Sequence, residues 1–210
     1  MTRYLPRSLA GSCFTIAALL SLPGTLAAQG AAAAKPDGRL AYVPADVTFM
    51  TGMIGHHAQA VLIGGWAPTH GASKSLQALC ERIVVGQRDE ILTMQTWLKD
   101  HHEPVPAVDP EMGNMPGMDE SGLMPGMLSY EELHALDQAR GTEFDRLFLT
   151  DMIKHHNGAI TMVNTLFGTP GGGEEERMYK IASDIYADQT TEIDRMTKML
   201  AALPQQGHGQ

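Results

Sequence analysis

Between residues 46 and 66 the apolar and polar positions repeat with a helical period. Met53, His56, His57 and Ala60 stand at i, i+3, i+4 and i+7, and therefore on one face of a helix. Met152, His155, His156 and Ala159 occupy the same four offsets in a second helix. The pattern predicts a first helix over 46–66, with Asp46 as N-cap, and a turn at Ala67-Pro68-Thr69-His70-Gly71. Ser73 is placed to cap a second helix running to His102. In the other half, Thr142 is placed to cap a helix ending near Phe167. The turn 168–173 follows, rich in glycine, and then a helix over 174–203 whose first residues, Glu174, Glu175 and Glu176, suit its positive end.

The two halves are copies. A shift of 99 residues superimposes Asp46 on Asp145, Phe49 on Phe148, Met53 on Met152, Ile54 on Ile153, His56 on His155 and His57 on His156. A shift of 102 residues superimposes Gln87 on Gln189, Glu90 on Glu192, Ile91 on Ile193, Met94 on Met196 and Leu98 on Leu200. Two matching blocks in the same order define an internal repeat. One helical hairpin cannot bury its apolar face alone, whereas two can. The expected fold is all-α, a four-helix bundle made from two repeated hairpins. The expected layout is hairpin 1 over 46–102, a linker over 103–128, a short helix over 129–140 and hairpin 2 over 142–203, within a domain spanning 42–204. Ser129 and Glu132 have capping-box spacing, which sets the start of the short helix.

The ends read differently. Arg3 and Arg7 precede an apolar stretch from Leu9 to Leu22, broken by Pro23-Gly24 ahead of Ala27-Ala28. This is the layout of a secretory signal peptide over 1–28, too short and interrupted for a good membrane span, although an uncleaved anchor is the competing reading. Segments 29–41 and 205–210 are expected to be flexible or disordered. The protein is accordingly expected in the periplasm or outside the cell, without stable membrane insertion after cleavage.

Charge and cysteine narrow the functions further. The chain has 15 basic and 24 acidic residues, a net charge of −9. Cleavage removes Arg3 and Arg7 but no acid, so the mature protein is more acidic still. No basic patch remains for nucleic acid or for anionic membrane. Cys80 is then the sole cysteine, which excludes an internal disulfide; such a residue is ordinarily core filler and only occasionally a reactive thiol.

The polar residues on the core-facing stripes are the candidate chemistry. Gln87 and Glu90 share a face with Ile91 and Met94, as do Gln189 and Glu192 with Ile193 and Met196. Burial without partners costs on the order of 1–3 kcal/mol per group, so these side chains should meet the histidines or a metal. The antiparallel hairpin suggests a central layer of four His, two Gln and two Glu. Two readings stay open at this point: a satisfied hydrogen-bond network that fixes helix register, or a metal site with imidazole ligands and carboxylates orienting them. Asp151, one turn before His155, is a candidate to orient that ring, while the first copy has Gly52 there.

Methionine decides which metal the second reading favours. Met112, Met115 and Met118 are spaced by three, Met124 and Met127 follow, and Met-Pro-Gly-Met occurs twice. Thioethers with imidazoles suit copper, above all Cu(I). Adaptable surface filler is the competing explanation. His101, His102 and His208 are further candidate donors. A di-iron site is disfavoured, because Glu131-x-x-His134 is the only Glu-x-x-His spacing and lies outside the repeat. No phosphate-binding loop, Gly-x-Ser-x-Gly or Cys-x-x-Cys is present, and no nucleophile announces itself.

The segments YVPADVTFMTGMIGHHAQAV, QRDEILTMQTWL, MPGMLSYEEL and EFDRLFLTDMIKHHNGAITM resemble the bacterial domain of unknown function 305 family over roughly 42–203. The resemblance implies a ferritin-like four-helix bundle in secreted or periplasmic proteins, some of them associated with copper binding and copper resistance. Its motif carries over to His56, His57, His155, His156, Met53, Met152 and Met162 and to the Met-Pro-Gly-Met segments. The position of Met162 is Ile63 in the first copy, where the family commonly has Met, so the half-sites are expected to be unequal.

The reading that follows is an exported protein binding copper ions for tolerance or buffering, rather than an enzyme. The alternative is a structural or protein-interaction bundle with a buried His-Glu/Gln network. A metal-dependent oxidoreductase would need an open coordination position and a substrate pocket, and the residues indicate neither.

Overall fold

The computed structural model describes residues 41–107 and 122–204. Five helices follow in order: α1 (Pro44–Gly64), α2 (Lys74–Asp100), α3 (Tyr130–Gln138), α4 (Thr142–Gly168) and α5 (Glu176–Ala202). Among the described residues there is no strand, and no helix is long and apolar enough to cross a membrane. The expected signal peptide, the segments 29–40 and 205–210, and Met112, Met115, Met118 and His208 lie outside the described residues.

α1 packs along α2 and α4 along α5, the two hairpins; α1 and α4 then pack against each other, while α2 and α5 touch only sparingly. The result is a helical bundle with the first helix of each repeat at its centre. Helices α1, α2, α4 and α5 each contribute to two apolar clusters, and α3 to one of them. One gathers Ala60, Ile63, Leu76, Leu79, Phe144, Phe148, Met152 and Met196 with Leu133 and Leu136 of α3. The other gathers Phe49, Met50, Met53, Ile91, Met94, Trp97, Val163, Leu166, Met178 and Ile185. The start of α1 and the end of α4 share a cluster, so the central helices are antiparallel. His56, His57, His155 and His156 fall between the two clusters, as a polar layer across the middle.

The helix starts differ from the sequence reading in an instructive way. Val43, not Asp46, is the N-cap of α1, and Gly141, not Thr142, that of α4. The two aspartates instead link the repeats. The Asp46 carboxylate, fully buried, accepts from Val43 N at 2.9 Å and from Gly173 N at 2.7 Å, in the turn before α5. The Asp145 carboxylate accepts from Ser73 N, the N-cap of α2, at 3.1 and 3.3 Å. Each repeat's first helix thus satisfies a backbone donor ahead of the other repeat's second helix. Glu175 caps α5 through Met178 N and accepts from Trp97 Nε1 of hairpin 1. Ser129 and Glu132 form the expected capping box of α3.

Candidate metal centre

Adjacent residues on a helix point about 100° apart. A His-His pair on a central helix therefore addresses two neighbours at once. His57 turns to α2, its Nε2 donating to Glu90 Oε2 at 2.8 Å; His156 turns to α5, its Nε2 donating to Glu192 Oε2 at 2.7 Å. His56 and His155 turn to each other, their ring centroids 3.8 Å apart and their planes 37° apart. All four side chains are fully buried. The inner and outer imidazoles of each pair are 6.3 and 6.1 Å apart, so the rings form a continuous row from Glu90 to Glu192.

The free nitrogens define what this row can do. His56 Nε2 donates to Pro125 O at 3.0 Å. Carbonyl and carboxylate oxygens only accept, so His56, His57 and His156 each carry a proton on Nε2, and a ring in its neutral form leaves a lone pair on Nδ1. Those three Nδ1 atoms, and both nitrogens of His155, are buried without a hydrogen-bond partner. One nitrogen fixed by an oxygen and the other free as a donor is the arrangement of a metal-ligating histidine. Burial, followed by the proximity of His57, lowers the His56 pKa to about 3. Burial and then His56 push that of His155 well below its ordinary value. The inner rings are therefore held neutral, as ligation requires.

The carboxylates are not gathered around these nitrogens. Among the described residues, no three His, Cys, Asp or Glu side chains are grouped so as to hold a metal ion. Any ion at the inner pair needs donors of another kind, and thioethers are the candidates on this face. Residues 123–128 cross the α1–α4 face as a strap. A Cβ at Gly52 would meet Met124 Sδ at 3.1 Å and Met162 Cε at 3.4 Å, so both thioether side chains converge one turn before His56.

Glycines seat the strap. A Cβ at Gly158 would lie 1.9 Å from Pro125 O, and one at Gly126, whose φ is +77°, would lie 2.6 Å from the Lys154 carbonyl oxygen. Gln59 clamps the strap's end, its amide donating to Leu128 O at 3.0 Å and accepting from Leu128 N at 2.8 Å. Sequence reasoning missed these residues, yet a signal existed. Gln59 aligns with Gly158 in the repeat, Gly52 with Asp151 and Gly55 with Lys154. The copies differ where one face receives the strap.

Other expected donors stand elsewhere. Met53 and Met152 are fully buried in the two opposite apolar clusters. Met127, in the strap itself, is buried. His101 stacks on Trp97 at the far end of α2 and bonds Trp97 O, and exposed His102 follows it. Asp151 makes no bond to His155, whose nitrogens both lack a partner. Burial, then the charge of Glu132, raises the Asp151 carboxyl to about 6. Neither Gln87 nor Gln189 bonds a histidine; both line a groove between α2 and α5.

A helical bundle with a buried row of imidazoles, half of them tied to glutamates, is the class of protein that fold and site define. The chain belongs to the DUF305 family, a domain of unknown function, whose family model matches residues 46–200. A crystallised DUF305 fragment from Deinococcus radiodurans is 26% identical, with a TM-score of 0.63 over 77% of this chain and 99% of that one. A DUF305 protein from Streptomyces coelicolor gives 26% and 0.63 over 79% and 98%. CopM in its Cu(II)-bound form is 29% identical, with a TM-score of 0.59 over 74% of this chain and 95% of that one. Its Cu(I)-bound form gives 29% and 0.56 over the same shares. No curated protein matches the chain.

Proposed function

We propose that this protein is exported and binds copper ions for tolerance or buffering, without catalysing a reaction. Cu(I) is the cargo, held by free nitrogens of His56 and His155 together with the Met124 and Met162 thioethers. The second Met-Pro-Gly-Met segment serves as a strap over the site, and the first, with Met115 and Met118, as an additional donor set. Glu90 and Glu192 fix the outer imidazoles. The observation that carries the reading is the row of buried imidazole nitrogens left without partners, beside two converging thioethers. Soft thioether and imidazole donors favour Cu(I) over zinc or magnesium. Likeness to a protein crystallised with Cu(I), Cu(II) and silver supports it. The apolar stretch after Arg3 and Arg7 supports export.

The test is competition for Cu(I) against a chelator under reducing conditions, using the chain without residues 1–28. A single strong site that His56→Ala/His155→Ala abolishes supports the proposal. Unchanged affinity in that variant contradicts it and leaves the histidine row as a device of helix register.

A further inference from the structure

The groove between α2 and α5, on the outer side of the histidine row, holds a second set of ligands unlike the first. It has a volume of about 230 Å³ and is lined by Gln87, Glu90, Asp188, Gln189, Glu192 and Arg195, with Arg82 at its edge. Gln87 and Gln189 are 2% and 1% exposed. Both amide atoms of Gln87, the Gln189 carbonyl oxygen and Glu90 Oε1 are buried with no hydrogen-bond partner. Leaving such groups unpaired is costly, and two carboxamides placed symmetrically by the repeat, both turned into one cavity, point to an occupant.

Charge and donor type say which occupant. Glu90, Glu192 and Asp188 outweigh Arg82 and Arg195, so the groove favours a cation. Every acceptor is oxygen, a hard donor set that contrasts with the nitrogen and sulfur of the inner face. The volume is several times the roughly 30 Å³ share of one water, so an ion enters with part of its hydration shell.

We infer that the α2–α5 groove is a second cation site, taking a partly hydrated hard divalent ion on the Glu90 and Glu192 carboxylates and the Gln87 and Gln189 carbonyl oxygens. Two carboxylates neutralise the ion, and the two carboxamides complete its protein ligands without adding charge. Asp188 draws the ion in, and Arg195 opposes it. The site does not depend on copper binding, because it uses neither thioethers nor the inner imidazoles.

Mn(II) is the probe, since the electron paramagnetic resonance signal of the free aqua ion disappears on binding. The full chain should bind one Mn(II) saturably, and Met124→Leu/Met162→Leu should leave that binding unchanged. Gln87→Leu/Gln189→Leu should weaken it by at least about tenfold. Exposed positions give an arm free of folding effects: Asp188→Asn should weaken binding roughly two- to fivefold, and Arg195→Gln should strengthen it by a similar factor. Absence of a saturable site overturns the inference. So does binding that ignores both the glutamine pair and the opposed charge variants.

Discussion

His56 and His155 face each other across the centre of the bundle with ring centroids 3.8 Å apart, each the inner member of its His-His pair. The contact places two neutral imidazoles where the repeats meet, and everything proposed for the inner face depends on their neutrality. Their outer neighbours, His57 and His156, are held by glutamates and turn the other way.

Acid should reveal that contact before it reveals the rest of the bundle. Folding depresses the His56 pKa from its ordinary value near 6.5 to about 3, through burial first and the neighbouring His57 second. The stabilisation is therefore present above pH 6.5 and is lost progressively as pH falls from 6.5 towards 3. Denaturant midpoints of the metal-free protein should drop over that window. The drop should be smaller in His56→Leu/His155→Leu, and an equal drop in both proteins would count against neutral inner rings.

Asp151 carries the opposite sign. Its carboxyl is raised to about 6, by burial and then by Glu132, with Lys154 opposing. The protonated form is favoured in the fold, so a penalty develops as pH rises from the ordinary carboxylate range through 6. Asp151→Asn should raise the thermal midpoint at pH 7.5 and leave it unchanged below about pH 4. A variant that is less stable at pH 7.5 would mean that the carboxylate has a partner worth keeping.

The strap depends on the absence of one methyl group. Gly158→Ala would place a Cβ 1.9 Å from Pro125 O, and should cost about 1–3 kcal/mol by forcing the strap away. Gly86→Ala is the control: nothing lies within 4 Å of a Cβ there, and inside α2 the change should stabilise by roughly 0.5–1 kcal/mol. Urea denaturation of the two variants tests the contrast, and similar behaviour would show the strap to be loosely held.

The link between repeats can be tested at its two ends. Asp46→Ala and Asp145→Ala each remove acceptors from a backbone donor in the other hairpin. Each should lower stability by about 1–2 kcal/mol. A negligible loss from either would mean that water replaces the carboxylate without cost.

The helical hairpins and their repetition were legible because apolar periodicity and self-alignment report helix faces directly. The division of each His-His pair into inner and outer rings was not. Periodicity places His56 and His57 on one broad face but does not say which helix stands opposite each. Asp46 was read as an N-cap and Asp145 only as its counterpart in the repeat, yet both carboxylates act across the repeat, a pairing that no local signal encodes. The strap was invisible because its seat consists of missing side chains at Gly52 and Gly158. Comparing the repeats where they differ, rather than where they agree, points to that face. The glutamines were expected beside the histidines, but they turn instead into the α2–α5 groove.

The place proposed for Cu(I) is between the inner histidines and the strap. X-ray absorption of the Cu(I)-loaded protein tests it most directly, since nitrogen and sulfur neighbours scatter differently. Copper bound there gives a mixed shell of imidazole nitrogen and thioether sulfur that loses its sulfur in Met124→Leu/Met162→Leu and its imidazole signature in His56→Ala/His155→Ala. A shell unchanged by both substitutions would put the metal elsewhere and overturn the proposed site.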